Sequence, residues 1–279
     1  MNSNLVENSS VCAVLLAQRF APWKAPALFL QWGAGFTWNG LFDDEPRQMP
    51  LADLPGMPAG KNPDGEEPIL LYGTVCGQSV LLLHGHRHLY ENLGIVPCVL
   101  PLCAARKAGA KRVLLVEGAL SLNRDIRLGS WAILTDFING HAISPLDGHH
   151  AMLHDPFPDM SCALSQELNS DMVNAFVPTG MAVKLAIYHS RPGSQFCTPS
   201  EAAFLRQSGA DLTGHDLVME IIMGHALGCQ VSACVLAAAT EPVPYLQTIT
   251  RASWRETCAF CSTQLVRGLR AYFQQTAPV

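Results

Sequence analysis

The sequence has little charge, and the charge that it has shows no basic excess. Only 15% of its 279 residues are charged, and the formal net charge is -5. Surfaces that bind nucleic acid or anionic lipid depend on clustered Lys and Arg, whereas here these residues are scattered along the chain. The composition therefore predicts no nucleic-acid partner and no membrane partner.

Long hydrophobic runs are missing as well. No stretch approaches the ~18 consecutive apolar residues that a membrane-spanning helix requires. The first ten residues are polar, include Glu7 and lack the layout of a signal peptide. Because hydrophobic residues nevertheless make up 49% of the chain, we expect one compact domain with a large core, located in the cytoplasm.

The ten cysteines do not indicate a disulfide framework. Most of them lie inside apolar runs, which is typical of buried thiols in a reducing compartment. Cys258 and Cys261 form a C-x-x-C pair, but no second pair accompanies it at a spacing that zinc could use. We interpret this pair as helix packing.

Apolar runs alternate with helical patterns along the chain, which predicts an α/β architecture. The predicted strands are 27–31, 69–72, 79–83, 112–117, 131–137, 181–190 and 230–239. The predicted helices are 93–107, 161–175, 200–209, 220–227 and 251–274. Residues 1–24 are predicted as an N-terminal extension with a short helix, and residues 25–279 as one domain. Residues 43–67, rich in Pro, Gly and acidic residues, are predicted as a loop.

Several short motifs occur in an order that points to one family. They are Gly33-Ala34-Gly35, Pro55-Gly56-Met57, GHRHLYE at 85–91, VEGALSLN at 116–123, TDFIN at 135–139, FPDMS at 157–161, GSQFCTPSE at 193–201 and GHDLVME at 214–220. Together they resemble the trimeric purine nucleoside phosphorylases. The resemblance implies a single-domain three-layer α/β sandwich around a central mixed β-sheet. It also implies a homotrimer that acts on a small-molecule nucleoside or nucleobase, in which Phe157 completes the pocket of a neighbouring subunit.

The residues that hold phosphate in that family are largely replaced here. By position, Ala34 stands for a Ser, Met57 for a His, His86 for an Arg and Asp216 for a second Ser, while His88 is kept. Losing a charged donor typically removes about 1.5–3 kcal/mol, and a carboxylate ~4 Å from an anion repels it by about 4 kcal/mol at an effective dielectric of about 20. Inorganic phosphate is therefore a doubtful co-substrate, and no other cofactor is expected.

The residues that contact the purine are also altered. Cys197 stands where the family has a Glu, and a thiol is only a weak hydrogen-bonding group. Thr240 stands for an Asn, whereas Tyr90, Phe157 and Phe196 are kept. The resemblance assigns catalytic roles to His88, Asp216 and Thr240. It assigns substrate contacts to Gly33, Ala34, His86, Tyr90, Glu117, Gly118, Phe157, Phe196, Cys197 and His215.

Three side chains leave alternatives open. Arg87 could replace the missing guanidinium, but on a strand it would point away from His86 unless a bulge intervenes. Glu117, at the end of a predicted strand, either contacts a ligand or forms a salt bridge. His84, His86 and His88 have the spacing of one strand face, which could suit a metal together with His215, Asp216 and Glu117. We prefer an anion-binding role for His88 and assign no metal.

Three functions are compatible with these residues. The preferred hypothesis is cleavage or transfer of a nucleoside N-glycosidic bond with altered phosphate and base sites. One alternative is a nucleoside-binding protein without catalysis, because Ala34, Met57, Asp216 and Cys197 all depart from the family. Another is a hydrolase that uses water instead of phosphate, with Asp216 or Glu117 as general base.

Overall fold

The computed structural model describes residues 5–241 and 248–276. Within these residues the strands are β1 Leu28–Trp32, β2 Arg47–Pro50, β3 Ile69–Val75, β4 Gln78–His84, β5 Arg112–Ser121, β6 Trp131–Asn139, β7 Val183–Ser190, β8 Leu212–Gly214 and β9 Gln230–Thr240. The α-helices are α1 Leu5–Arg19, α2 Val96–Lys107, α3 Gln166–Phe176, α4 Pro199–Gln207, α5 Val218–Ala226 and α6 Arg251–Gln275.

The strands form one mixed sheet in the order β2-β3-β4-β1-β5-β8-β7-β6-β9. Strand β9 also pairs in parallel with β5, so the strands from β5 to β9 close into a ring while β1 to β4 form an open wing. One core contains α1, α2 and α5 on one face of the sheet, and a second core contains α3, α4 and α6 on the other. The predicted three-layer α/β fold with a central mixed sheet is confirmed.

Burial on both faces explains why the central strands are apolar throughout. Every residue of β1 is buried, because β4 and β5 flank it in parallel and both of its faces meet a core. Helix α1, which lies inside the predicted N-terminal extension, packs against α2 through buried residues such as Leu5, Cys12 and Leu16. The first four residues of that predicted extension lie outside the described residues.

Caps move several helix ends away from their predicted positions. The predicted helix 161–175 begins only at Gln166, because the Ser165 hydroxyl accepts the Leu168 N–H at 3.2 Å and caps the first turn. Helix α4 begins after Thr198, which forms a capping box with Glu201. The prediction that residues 43–67 form a loop was wrong in part, because this segment contains β2 and a 3₁₀ turn at Leu51–Asp53.

The ends of two strands affect the site. Strand β4 ends at His84, and Gly85 turns the chain with a φ of 68°, so His86 and His88 do not lie on a strand. The predicted strand-face spacing of the histidines was therefore wrong. Strand β5 continues to Ser121, which places Glu117 inside the strand and not at its end.

The interpretation of the C-x-x-C pair as helix packing is confirmed. All ten cysteines are free thiols, and Cys258 and Cys261 are buried on α6, where they pack into a core. Among the helices of the described residues, none is long and apolar enough to span a membrane.

Candidate active site

Two turns bring His86, His88 and Asp216 together. His86 and His88 follow the end of β4, and Asp216 follows β8 directly before α5. The Asp216 carboxylate faces both rings, with Oδ1 3.7 Å from His86 Nε2 and Oδ2 3.9 Å from His88 Nε2, and the two ring centroids are 4.3 Å apart. Leu217 has a φ of 76°, a left-handed conformation that is costly for a bulky side chain and that persists only where the surroundings impose it.

His88 is oriented by neighbours on both sides. Its backbone N–H donates to Glu91 Oε1 at 2.7 Å, and its Nδ1 lies 3.1 Å from the same oxygen. Its ring stacks on Tyr90 with centroids 4.6 Å apart, and Tyr90 in turn meets His215 edge-on at 5.8 Å. These contacts direct Nε2 of His88 towards Asp216.

Charges in this cluster shift one another strongly. Burial disfavours the charged form of His86, but the Asp216 carboxylate outweighs it and raises the His86 pKa to about 10. Burial alone would raise the Asp216 pKa, yet the two imidazoles, His88 above all, hold that pKa well below its usual range. The cluster is thus a buried ion pair in which Asp216 is negative and His86 is positive.

Two further carboxyl groups are buried next to this ion pair. Burial, followed by the negative charge of Asp216, raises the pKa of Glu117 to about 8. Its Oε1 accepts the Gly118 N–H at 2.9 Å, whereas a Cβ on Gly33 would lie only 1.9 Å from its Oε2. The Gly at position 33 therefore leaves the space that the Glu117 carboxyl group fills. Glu220, whose pKa is raised by burial, accepts a hydrogen bond from Gln31 at 2.8 Å.

Arg87 does not replace the missing guanidinium. Its Nη2 donates to the carbonyl oxygens of Pro58 and Gly60, and its Nη1 pairs with Glu91 at 3.0 Å. The side chain is therefore committed to a loop and to Glu91. The possible substitution of Arg87 for the family's arginine is excluded by these contacts.

A cavity of about 180 Å³ opens next to the cluster. Its walls contain Pro63, Asp64, Tyr90, Leu120, Arg191, Ser194, Phe196, Cys197, Thr213, Gly214, His215, Arg251 and Trp254. Four predicted substrate contacts, Tyr90, Phe196, Cys197 and His215, are among them. Tyr90 connects the cavity to the cluster, because it lines the first and stacks on His88 in the second.

Other predicted residues lie away from the cavity walls. Phe157 is 86% exposed, and its ring contacts only His150 among the described aromatic rings, at 6.3 Å. Thr240 ends β9 opposite Ser121, and Ala34 is buried in the turn after β1. Gly118 lies behind the wall, where a Cβ would come within 2.8 Å of the Trp254 indole.

Nine residues of the wall were missed by the sequence analysis, and three of them, Asp64, Arg251 and Trp254, form one group. Arg251 donates to both carboxylate oxygens of Asp64 at 2.6 Å, and its guanidinium lies over the ring of Trp254. Trp254 also packs on Phe196, with ring centroids 5.5 Å apart. The signal available was an Arg and a Trp in the first turn of an amphipathic helix, but Asp64 lies far away in a loop whose path the sequence does not reveal.

The two other histidines of the predicted set, His84 and His215, contact backbone carbonyl oxygens. His84 Nε2 lies 2.9 Å from the carbonyl oxygen of Phe36, and His215 Nδ1 lies 3.2 Å from that of Arg191. Among the described residues, only His86, His88 and Asp216 form a group of possible metal ligands, with ligand atoms within 4.8 Å of one another.

Comparison with known proteins places this site in a family. The sequence profile of the phosphorylase superfamily matches residues 47–256. The chain belongs to the phosphorylase superfamily. Purine nucleoside phosphorylase 1 of Bacillus subtilis strain 168 is 29% identical over 222 residues, or 77% of this chain and 80% of that protein. The protein of the same name from Geobacillus stearothermophilus is 28% identical over 235 residues, or 83% and 82%.

Solved structures of the superfamily have the same fold. A Schistosoma purine nucleoside phosphorylase in complex with guanosine superposes with a TM-score of 0.86 and 21% identity, covering 98% of both chains. A Schistosoma mansoni purine nucleoside phosphorylase in complex with adenosine gives 0.86 and 22% identity over 100% of both chains. The resemblance to the purine nucleoside phosphorylases that the motifs predict is thereby confirmed.

Proposed function

We propose that this protein cleaves or transfers the N-glycosidic bond of a nucleoside, with a phosphate site and a base site that differ from those of its relatives. The proposal depends on the cavity between Tyr90, Phe196 and Trp254. Next to this cavity lies the charged cluster of His86, His88 and Asp216. Aromatic walls suit the flat face of a base and the apolar face of a sugar. Charged groups at one end suit the sugar cation that forms as the bond breaks.

The acceptor of the sugar is the part of the reaction most altered. In the relatives that the motifs resemble, phosphate is held by an Arg and a Ser at the positions of His86 and Asp216. Here the position of the hydroxyl carries a buried carboxylate, which repels an anion. We infer that phosphate binds weakly and that water is a competing acceptor of the sugar.

The base site is altered as well. Cys197 lines the cavity where the family pattern has a Glu, so no carboxylate at this position accepts a purine N–H. The guanidinium groups of Arg191 and Arg251 supply hydrogen-bond donors to the same cavity, whereas the neutral His215 donates its Nδ1 proton to the Arg191 carbonyl oxygen. A base rich in acceptors therefore fits these walls better than one that relies on donating to a carboxylate.

The experiment is a panel of purine and pyrimidine nucleosides incubated with purified protein, with and without phosphate. Released base is separated by chromatography, and the sugar product is identified as ribose or ribose 1-phosphate. Trp254→Ala should lower the rate at least tenfold, because it removes one wall of the cavity. Phe260→Ala is the matched control, because Phe260 is on the same helix but is 85% exposed.

The outcomes separate the hypotheses. Base release that occurs only when phosphate is present indicates a phosphorylase. Base release at the same rate without phosphate indicates a hydrolase. Binding of nucleosides in a thermal-shift assay without any base release would instead favour a nucleoside-binding protein without catalysis and would contradict this proposal.

We also propose a homotrimer in the cytoplasm, on the strength of the resemblance and of one exposed ring. Phe157, at 86% exposure, is an unusually open position for a large aromatic side chain. In the family pattern this residue reaches a neighbouring subunit. Light scattering should give the mass of three chains, and Phe157→Ser should raise KM without lowering the melting temperature of the subunit.

A further inference from the structure

We propose that His86, His88 and Asp216 bind a divalent transition-metal ion of the zinc class. Two imidazoles and one carboxylate are a common ligand set for zinc and for non-haem iron. Their ligand atoms lie within 4.8 Å of one another. Both exchanges that weaken the phosphate site, Arg to His and Ser to Asp, introduce residues that are metal ligands.

The ring nitrogens of His86 are buried polar atoms and therefore need bonding partners. His86 is only 2% exposed, yet neither of its ring nitrogens has a hydrogen-bond partner among the described residues. Buried polar atoms are nearly always satisfied, and leaving them unsatisfied costs free energy. Asp216 forms an ion pair with the protonated His86 across 3.7 Å, a distance too long for a hydrogen bond, so the ring nitrogens stay unsatisfied. A metal ion that displaces the His86 proton would bond directly to both side chains.

His88 has the support that a metal-binding histidine usually has. One ring nitrogen, Nδ1, lies 3.1 Å from Glu91 Oε1, and the other nitrogen faces Asp216. A carboxylate behind the histidine fixes the ring and increases its basicity as a ligand. Glu91 is itself held by Arg87 at 3.0 Å, so the arrangement extends into the surrounding loop.

The three side chains would have to move slightly closer together to hold an ion. Ligand atoms at ~2.0–2.2 Å from a tetrahedral metal stand roughly 3.3–3.6 Å apart. His86 Nε2 lies 3.7 Å from Asp216 Oδ1 and His88 Nε2 lies 3.9 Å from Oδ2, while one ligand atom from each residue lies within 4.8 Å of the other two. Loading therefore requires a contraction of about 1.5 Å at most. His84 and His215, bound to the carbonyl oxygens of Phe36 and Arg191, are not part of the set.

Three protein ligands leave a fourth position for water. Asp216 is the most open of the three, with 11% of its side chain exposed, and Tyr90 joins the cluster to the cavity. If the proposed function holds, this water is the acceptor: it loses one proton to solvent and its oxygen bonds to C1′ of the sugar. The C1′–N bond breaks with its electron pair on the base, which takes up a proton. The sum is nucleoside plus water giving sugar plus base.

The test begins with metal binding and needs no activity. Protein without a histidine tag is freed of metal with a chelator and titrated with Co²⁺, and the visible absorption of the ion is recorded. We expect about one ion per chain, and a rise in melting temperature on loading. Asp216→Asn and His86→Gln, which nearly keep the side-chain shapes, should each weaken Co²⁺ binding at least tenfold. His150→Ala, an exposed histidine outside the cluster, is the control and should bind as the parent does.

The possible results separate this site from the proposed function. Absence of Co²⁺ and Zn²⁺ binding in the parent protein, or equal binding in Asp216→Asn and His86→Gln, would overturn the site. Should a variant fail to fold, the spectrum and the melting shift of the parent protein still decide. A protein that releases base but binds no metal removes the site and leaves the function. A protein that binds one ion but acts on no nucleoside leaves the site and removes the function.

Discussion

Asp216 Oδ1 lies 3.7 Å from His86 Nε2, deep inside the protein and with each residue supplied by a different turn. The resemblance to the phosphorylases places a Ser and an Arg at these two positions. In the proposed function, the pair therefore supplies a carboxylate and an imidazole where the family pattern has a neutral hydroxyl and a permanent cation. Any anion that approaches meets a negative group where the relatives present a donor.

Restoring both family residues should restore phosphate binding. The double variant His86→Arg/Asp216→Ser removes a repulsion of about 4 kcal/mol and adds a charged donor of about 1.5–3 kcal/mol. Because about 1.4 kcal/mol corresponds to a tenfold change in affinity, we expect phosphate to bind roughly 10⁴-fold to 10⁵-fold more tightly, measured by isothermal titration on chelator-treated protein. Each single variant should gain less than the double variant. Equal phosphate affinity in the parent and the double variant would show that the cluster does not set the phosphate site.

The sequence was sufficient for the fold but not for the geometry of this cluster. Apolar runs and helical periodicity predicted the layers correctly. Strands β1 and β5 are buried on both faces, and such strands are recognised in a sequence as continuous apolar runs. The apolar run ends at Leu83, so the end of β4 could be predicted, but the φ of 68° at Gly85 that takes His86 and His88 off the strand could not. Arg251 and Asp64 were missed for another reason: their pairing depends on how a loop crosses the first turn of α6, and that path is set by tertiary contacts.

The wall behind the cavity should be sensitive to a single methyl group. In Gly118→Ala the new Cβ would lie 2.8 Å from Nε1 and Cε2 of Trp254, and a rigid indole cannot yield as a flexible chain can. We expect a loss of about 1–3 kcal/mol in the free energy of unfolding and weaker nucleoside binding, measured by urea unfolding and thermal shift. Gly118→Ala/Trp254→Leu should recover part of the stability, because the smaller side chain makes room. No recovery would argue that the strain lies elsewhere.

The ion pair of Asp64 with Arg251 should make stability depend on acid pH. Burial alone would raise the Asp64 pKa, but the hydrogen bonds and charge of Arg251, followed by Arg255, lower it below its usual value. A carboxyl group whose folded pKa is depressed stabilises the fold above its unfolded pKa of about 3.9, and that contribution is lost as the pH falls further. Asp64→Asn should cost about 1–3 kcal/mol at pH 7 and progressively less below about pH 4.

Urea unfolding between neutral and acid pH measures this difference. The control is Asp44→Asn, because Asp44 is exposed in a neighbouring loop and should change little at any pH. A stability difference between the parent and Asp64→Asn that stays constant down to the lowest pH would contradict the assignment.

A single substitution at Cys197 should change the preference of the protein between purine bases. Cys197 is buried in the cavity wall, where the family pattern has a Glu, and its thiol cannot act as a strong acceptor. In Cys197→Glu a carboxylate becomes available to a base that carries a ring N–H, and a hydrogen bond to a charged group contributes about 1.5–3 kcal/mol. We therefore expect kcat/KM for inosine to rise by roughly tenfold to a hundredfold relative to that for adenosine, which has no N–H at this ring position. Cys197→Gln, of similar size and without charge, controls for the added volume. If Gln and Glu change the ratio equally, the effect comes from the shape of the cavity and the carboxylate has no special role in choosing the base.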